Sequence, residues 1–300
     1  MQLLYALDRD KELTSQDLLP LYRQVVNQSF DLYLFALKIF MAVASHATKE
    51  AKSRHSKHLP SKEDRSFRPY LADNSCIKSL SNNGAFAIAC QKHQEWPAID
   101  DDIVRLLYYQ SAKKQEYINY ATSMDPSEED HKKQLLALFK DCCNNEAFTD
   151  LLEYNYRNWI DDKSLIIGAI KKTIKSLPAK EDFLKVYKPN PETIEEFGLQ
   201  LLQYVQQENT ALEEYILPTL KNWDAERVAV LDMILLKLAL SELIMFTSIP
   251  TKVTLNEYVE ISKLYSTEKS KDFINGILDR LMKDLTATGK INKSGRGLVG

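Results

Sequence analysis

The chain has 300 residues, 44% of them hydrophobic and 27% charged, with only 8 glycines and 10 prolines. This is the makeup of an ordinary soluble protein with a real core, long enough for one large domain or two, and helical rather than rich in turns. Its 39 Lys and Arg against 42 Asp and Glu leave a net charge of −3, so any attraction to nucleic acid has to come from a local patch.

The opening Met1–Leu7 reads as an apolar helix with no capping residue ahead of it, which leads us to expect residues upstream. No secretory leader pattern is present. Thr14–Asp17 offers caps and Pro20 suits a first helical turn, so a long helix is expected to run to about Lys49. The most apolar run, Leu32–Val43, is too short for a membrane span and holds Lys38.

Residues 49–69 crowd Lys49, Lys52, Arg54, His55, Lys57, His58, Lys62, Arg65 and Arg68 together. The stretch reads either as a solvated loop or as a patch that contacts phosphate. His55 and His58 have no Cys or acidic cluster beside them, so no metal is expected. Asp73–Gly84 reads as irregular and Phe86–Cys90 as a short apolar piece of open type.

Asp100–Asp102 caps a helix, and Ser127 with Asp130 caps another. Helices follow through Phe148–Tyr156 and Asp162–Leu177, with no alternating segment that would make a strand. Tyr117 and Tyr120 lie at helical spacing and read first as core. Cys76, Cys90, Cys142 and Cys143 form no Cys-x-x-Cys pair. Neither a disulfide framework nor a zinc site is expected, and reduced thiols point to the cytoplasm.

Pro178, Pro189 and Pro191 are breaks before a helix through Ile194–Val205, and Thr210 with Glu213 forms a capping box for the next. From Trp223 the pattern sharpens. Leu231, Leu235, Leu238 and Ala239 share one stripe of a helix apolar around most of its circumference, hence buried among others. Glu242 falls inside that stripe and needs hydrogen-bond partners, which a neighbouring helix N-terminus would supply. It reads as a structural pin.

Pro250 stops this helix. Thr254 and Glu257 suggest a new start near 255, and Ser270 caps a last helix. Gly276 inside that helix implies the close approach of a backbone or ligand. Residues 286–300, with four glycines and three cations, read as a disordered basic tail. No Gly-rich phosphate loop or Gly-x-Ser-x-Gly elbow occurs; we expect no enzyme, cofactor or metal.

Three stretches carry a family resemblance. They are Leu-x-x-Leu-Ala-x-x-Glu-Leu ending at Leu243, then Ile249-Pro-x-Lys-Val-x-Leu-Asn-Glu-x-Val-Glu-Ile-x-Lys263, then Phe273-Ile-Asn-Gly-Ile-Leu-Asp279. In this order and separation they resemble the NusB family of transcription antitermination factors over about residues 190–285. The opening Met1–Leu7 is similar to that family's first helix.

The resemblance implies an all-α, NusB-like helical bundle of two packed subdomains with a large helical insertion. Residues 1–50 would be N-terminal NusB-like helices. Residues 51–178 would be the family-atypical, mostly helical insertion with the basic loop 49–69. Residues 179–285 would be the C-terminal RNA- and partner-binding bundle, and 286–300 the tail.

It implies binding of single-stranded boxA-type RNA from rRNA operon leaders, together with the small-subunit ribosomal protein NusE. The pair would join an RNA polymerase antitermination complex and suppress premature termination, with no membrane involved. Carried over position by position, Gln2, Lys252, Asn256, Phe273 and Asn275 would face RNA, and Tyr5 and Asp232 the protein partner. Lysine suits phosphate, asparagine a base edge and an aromatic ring a stacked base. Phe273 reads equally as core, and Asn275 equally as a pin beside Gly276. The alternative is an RNA-independent protein-interaction module of the same fold.

Overall fold

The computed structural model describes residues 1–93, 95–220 and 228–294, and among these every regular element is helical. Trp223 of the sequence reading lies outside the described residues, as does the tail from Gly295 on. The chain divides into two compact units. One joins residues 1–24 to 190–300, and the other holds 25–189. The sequence reading set boundaries at 50/51 and 178/179; the division by contacts falls at 24/25 and 189/190.

α1 (Gln2–Arg9) opens the first unit, and α2 (Leu18–His55) contributes its residues up to Gln24 there and the rest to the second. In the second unit Leu32 to Leu37, Ile39 and Phe40 are all within 2% of full burial. A helix apolar all round is stable only when enclosed by others. Over an 18-residue window α2 is apolar enough to cross a membrane by length and composition, where the sequence reading had weighed only Leu32–Val43. Of that window 67% is buried inside the fold, the situation of a core helix.

The enclosing helices are α3 (Lys62–Ser66), α4 (Ser75–Ser81), α5 (Gly84–Gln91), α6 (Asp101–Ala112), α7 (Gln115–Ala121), α8 (Glu128–Cys143), α9 (Glu146–Asn155) and α10 (Trp159–Lys175). The expected caps of α6 and α8 form: Asp100 accepts the Asp102 amide, and Ser127 and Asp130 make a reciprocal box.

The expectation of an irregular 73–84 is corrected, because α4 lies inside it. Asn74 and Asn83 are N-caps, their side-chain oxygens accepting the amides of Ile77 and Phe86. Turn-forming residues and capping residues are the same residue types, so the pattern did not separate loop from helix start.

Three of the seven Lys and Arg of the basic stretch are paired with acids. Arg54 pairs with Glu50 at 2.6 Å and Glu63 at 2.8 Å, Lys57 with Asp64 at 2.8 Å, and Lys49 with Asp101 at 2.9 Å.

In the first unit a π-helical segment, Glu192–Leu199, runs straight into α11 (Gln200–Gln207). Next come α12 (Asn209–Ile216), α13 (Val230–Met245), α14 (Thr251–Tyr265) and α15 (Ser270–Ala287). α13 is the hub, touching α1, α11, α12, α14 and α15. Leu235, Leu236, Ala239, Leu240 and Leu243 on it are essentially inaccessible.

Four local expectations are corrected here. Glu213 does not close a box with Thr210, because Lys237 takes Glu213 at 2.6 Å and Asn209 at 2.7 Å. α14 starts at Thr251 directly after Pro250, so Thr254 lies within the helix and its hydroxyl serves Glu242 instead. A Cβ on Gly276 would meet nothing within 4 Å, whereas one on Gly198 would stand 1.9 Å from the Tyr22 hydroxyl. Close backbone–side-chain approach therefore belongs to Gly198. Finally, residues 288–294 of the supposed tail are placed: Ile291 is 3% exposed, because one apolar side chain in a polar stretch suffices to dock it.

Candidate nucleic-acid interface

α14 and α15 are joined by the four residues 266–269 and pack together, an αα-hairpin. Lys252 and Asn256 are exposed on α14 and stand one turn apart on the same face. Thr254 and Tyr258, two residues on from each, are buried. They hold the inner face by donating to Glu242, at 2.8 and 3.1 Å. Glu242 is 6% exposed, and its burial pushes its carboxyl above the usual glutamate range despite these bonds. The pin is thus real, and its donors are hydroxyls on the first two turns of α14.

At the other end of the hairpin a cleft of about 540 Å³ opens between α1, the start of α13 and the α14–α15 turn. Gln2 and Tyr5 line it from one face of α1, Tyr265 from the end of α14, and Ser266 and Thr267 from the turn. Arg9, also on its rim, lies with its guanidinium 5.6 Å from the Tyr5 ring centroid. Sequence reasoning missed Arg9, Tyr265, Ser266 and Thr267. The signal for Arg9 was its spacing, because Gln2, Tyr5 and Arg9 fall at i, i+3 and i+7.

Asp232 is only 5% exposed. Its carboxylate accepts from Ser266 at 2.6 Å and Ser270 at 2.8 Å. It therefore ties the hairpin turn to α13 directly behind the cleft-lining Ser266, with both oxygens engaged inside the chain. Phe273 is 7% exposed and belongs to the core of this unit, while Asn275 is exposed on α15.

The structure thus brings Gln2 and Tyr5 together, with Asp232 behind the same wall. It sets Lys252 and Asn256 apart, about 15–20 Å along α14 from the turn at 1.5 Å per residue. This suits an extended ligand better than a small one. Among the described residues no group of three or more His, Cys, Asp or Glu is placed to hold a metal ion.

Residues 166–283 match the NusB family. Among similar proteins is a transcription antitermination protein NusB from Salinibacter ruber, 46% identical over 79 residues, 26% of this chain and 49% of that protein. Another, from Chloroherpeton thalassium, is 38% identical over 104 residues, 35% of this chain and 49% of that protein. One from Natranaerobius thermophilus is 43% identical over 74 residues, 25% and 53%. The chain spans about half the length of the curated relatives it matches.

A solved structure of T. maritima NusB aligns with 26% identity over 56% of this chain and 98% of that one. Its TM-score of 0.30 carries no argument about arrangement. The stretch that matches the NusB family, 166–283, takes in α11 to α14, most of α15 and the exposed face that presents Lys252 and Asn256.

Proposed function

We propose that the chain is a cytoplasmic transcription antitermination factor without enzymatic activity. It binds single-stranded boxA-type RNA with the ribosomal protein NusE and acts in an RNA polymerase antitermination complex to suppress premature termination. The observation that carries this reading is the match of 166–283 to the NusB family, with Lys252 and Asn256 exposed one turn apart inside it. An ammonium and an amide so spaced suit a phosphate and a base edge of an unpaired strand. Gln2, Tyr5 and Arg9 around the cleft offer an amide, a ring and a cation for the same strand or its protein partner.

The test is a salt titration of binding to a short boxA-like RNA, with and without NusE. Affinity should fall as salt rises, because neutralised phosphates release counterions. It should strengthen with NusE. Lys252→Glu should weaken it by about tenfold or more, the weight of one charge-assisted contact.

The second reading, an RNA-independent protein-interaction module, is favoured by the internal pairing of Arg54, Lys57 and Lys49. It predicts no binding under either condition.

A further inference from the structure

The residues after α15 do a specific job. α15 ends in a Schellman turn: Gly289 takes φ +70°, its amide bonds the Thr286 carbonyl at 3.1 Å, and the Lys290 amide bonds that of Leu285 at 2.9 Å. This reversal sends the chain back along the unit, and Ile291 anchors it in the core. Lys293 then donates to the carbonyls of Phe246 at 2.9 Å and Glu242 at 3.4 Å. The Ser294 amide reaches the Thr247 carbonyl at 3.0 Å.

Those carbonyls belong to the last turn of α13 and to the first two residues of its connection to α14. The carbonyls of Glu242 and Phe246 also accept the Phe246 and Ile249 amides, each at 3.1 Å, and a cation added there complements the negative end of the helix dipole. The connection is short, Phe246–Pro250, and Lys252 is the second residue of the helix that follows. From the inner side Thr254 is held by Glu242. The Glu242 pin thus holds the first turn of α14 directly, and the returning segment holds the connection that leads into it.

We propose that residues 288–294 form a strap that positions the first turn of α14 for binding, with Lys293 as the positioning residue and Lys252 as the group it aims. The strap rests on the reading of Lys252 as an RNA contact. Lys293 itself has its ammonium committed to main-chain carbonyls. Removing it should cost affinity without removing a counterion-releasing contact.

The experiment compares Lys293→Gln, Lys293→Arg and Lys252→Gln in the full chain, reading boxA-like RNA binding against salt and amide hydrogen exchange. Lys293→Gln should weaken binding about threefold to tenfold, as a mutation acting at a distance does, and leave the slope of log affinity against log salt unchanged. Lys252→Gln should lower that slope by about 0.7, one phosphate's share on a single strand.

Exchange protection should fall at 251–256 in Lys293→Gln while α15 keeps its own. Lys293→Arg, still able to donate to both carbonyls, should restore affinity and protection. A slope change in Lys293→Gln equal to that of Lys252→Gln, protection lost evenly across α11 to α15, or no change in affinity and exchange would each overturn the strap. No effect of Lys252→Gln would overturn the RNA reading, while exchange at 251–256 would still decide whether the strap holds this turn.

Discussion

Glu242 shows what one residue can say about its surroundings. A carboxylate in an apolar stripe has to find donors, and it finds two hydroxyls on the next helix. Its folded-state pKa lies above the ordinary value of 4.5, with burial the main cause. A carboxyl raised in this way stabilises the fold fully below its unfolded pKa, and that contribution is lost as pH rises through the folded value. The window therefore opens near the ordinary glutamate range and extends upward. Glu242→Gln keeps the shape and the capacity to bond Thr254 and Tyr258 but has no proton to lose. Urea denaturation as a function of pH should show wild-type stability falling across this window and the variant's staying flatter. Parallel curves would remove Glu242 as the source. The need for partners was legible from the stripe; that Tyr258 would be one was not, because it lies sixteen residues on in another helix.

Elements were legible where their signals are local and ambiguous where one signal serves two purposes. Ser127 with Asp130 formed the expected box. Thr254 with Glu257, the same pattern, did not, because Pro250 had already fixed the helix start and Glu242 competed for the Thr254 hydroxyl. The π-helical Glu192–Leu199 gave no such signal. Its shape depends on Tyr22, whose hydroxyl donates to the Ile194 carbonyl at 3.1 Å and occupies the space beside Gly198. Arg23 grips Glu195 in the same segment with two bonds, at 3.1 and 3.0 Å. Gly198→Ala should therefore destabilise the first unit by about 1–3 kcal/mol, the usual cost of overpacking. Combining it with Tyr22→Leu should recover part of that loss, a coupling that a double-mutant cycle in urea measures. Strictly additive losses would show that the two residues do not share this space.

At the scale of the whole molecule, composition gave the helical class and the family motifs pointed to α13, α14 and α15, while long-range pairing stayed hidden. The residues of 49–69 are basic in sequence, yet in the fold Glu50, Glu63, Asp64 and Asp101 answer Arg54, Lys57 and Lys49. Three of those four acids lie in the same stretch: Glu50 meets Arg54 one turn along α2, while Glu63 and Asp64 meet Arg54 and Lys57 only through the return of α3 against the end of α2. Glu50 is 8% exposed and also accepts from the Tyr109 hydroxyl, so Arg54 is needed to balance a buried charge. Arg54→Gln should cost roughly 2–3 kcal/mol of stability, the value of hydrogen bonds to a charged group plus the carboxylate left behind. If these cations serve the fold, the salt slope of RNA binding should be the same in Arg54→Gln as in the wild type. If the patch holds phosphate, that slope should drop by about 0.7 for the lost contact. Urea midpoints and salt titrations on one preparation separate the two, because a structural cation moves the first and a phosphate contact moves the second.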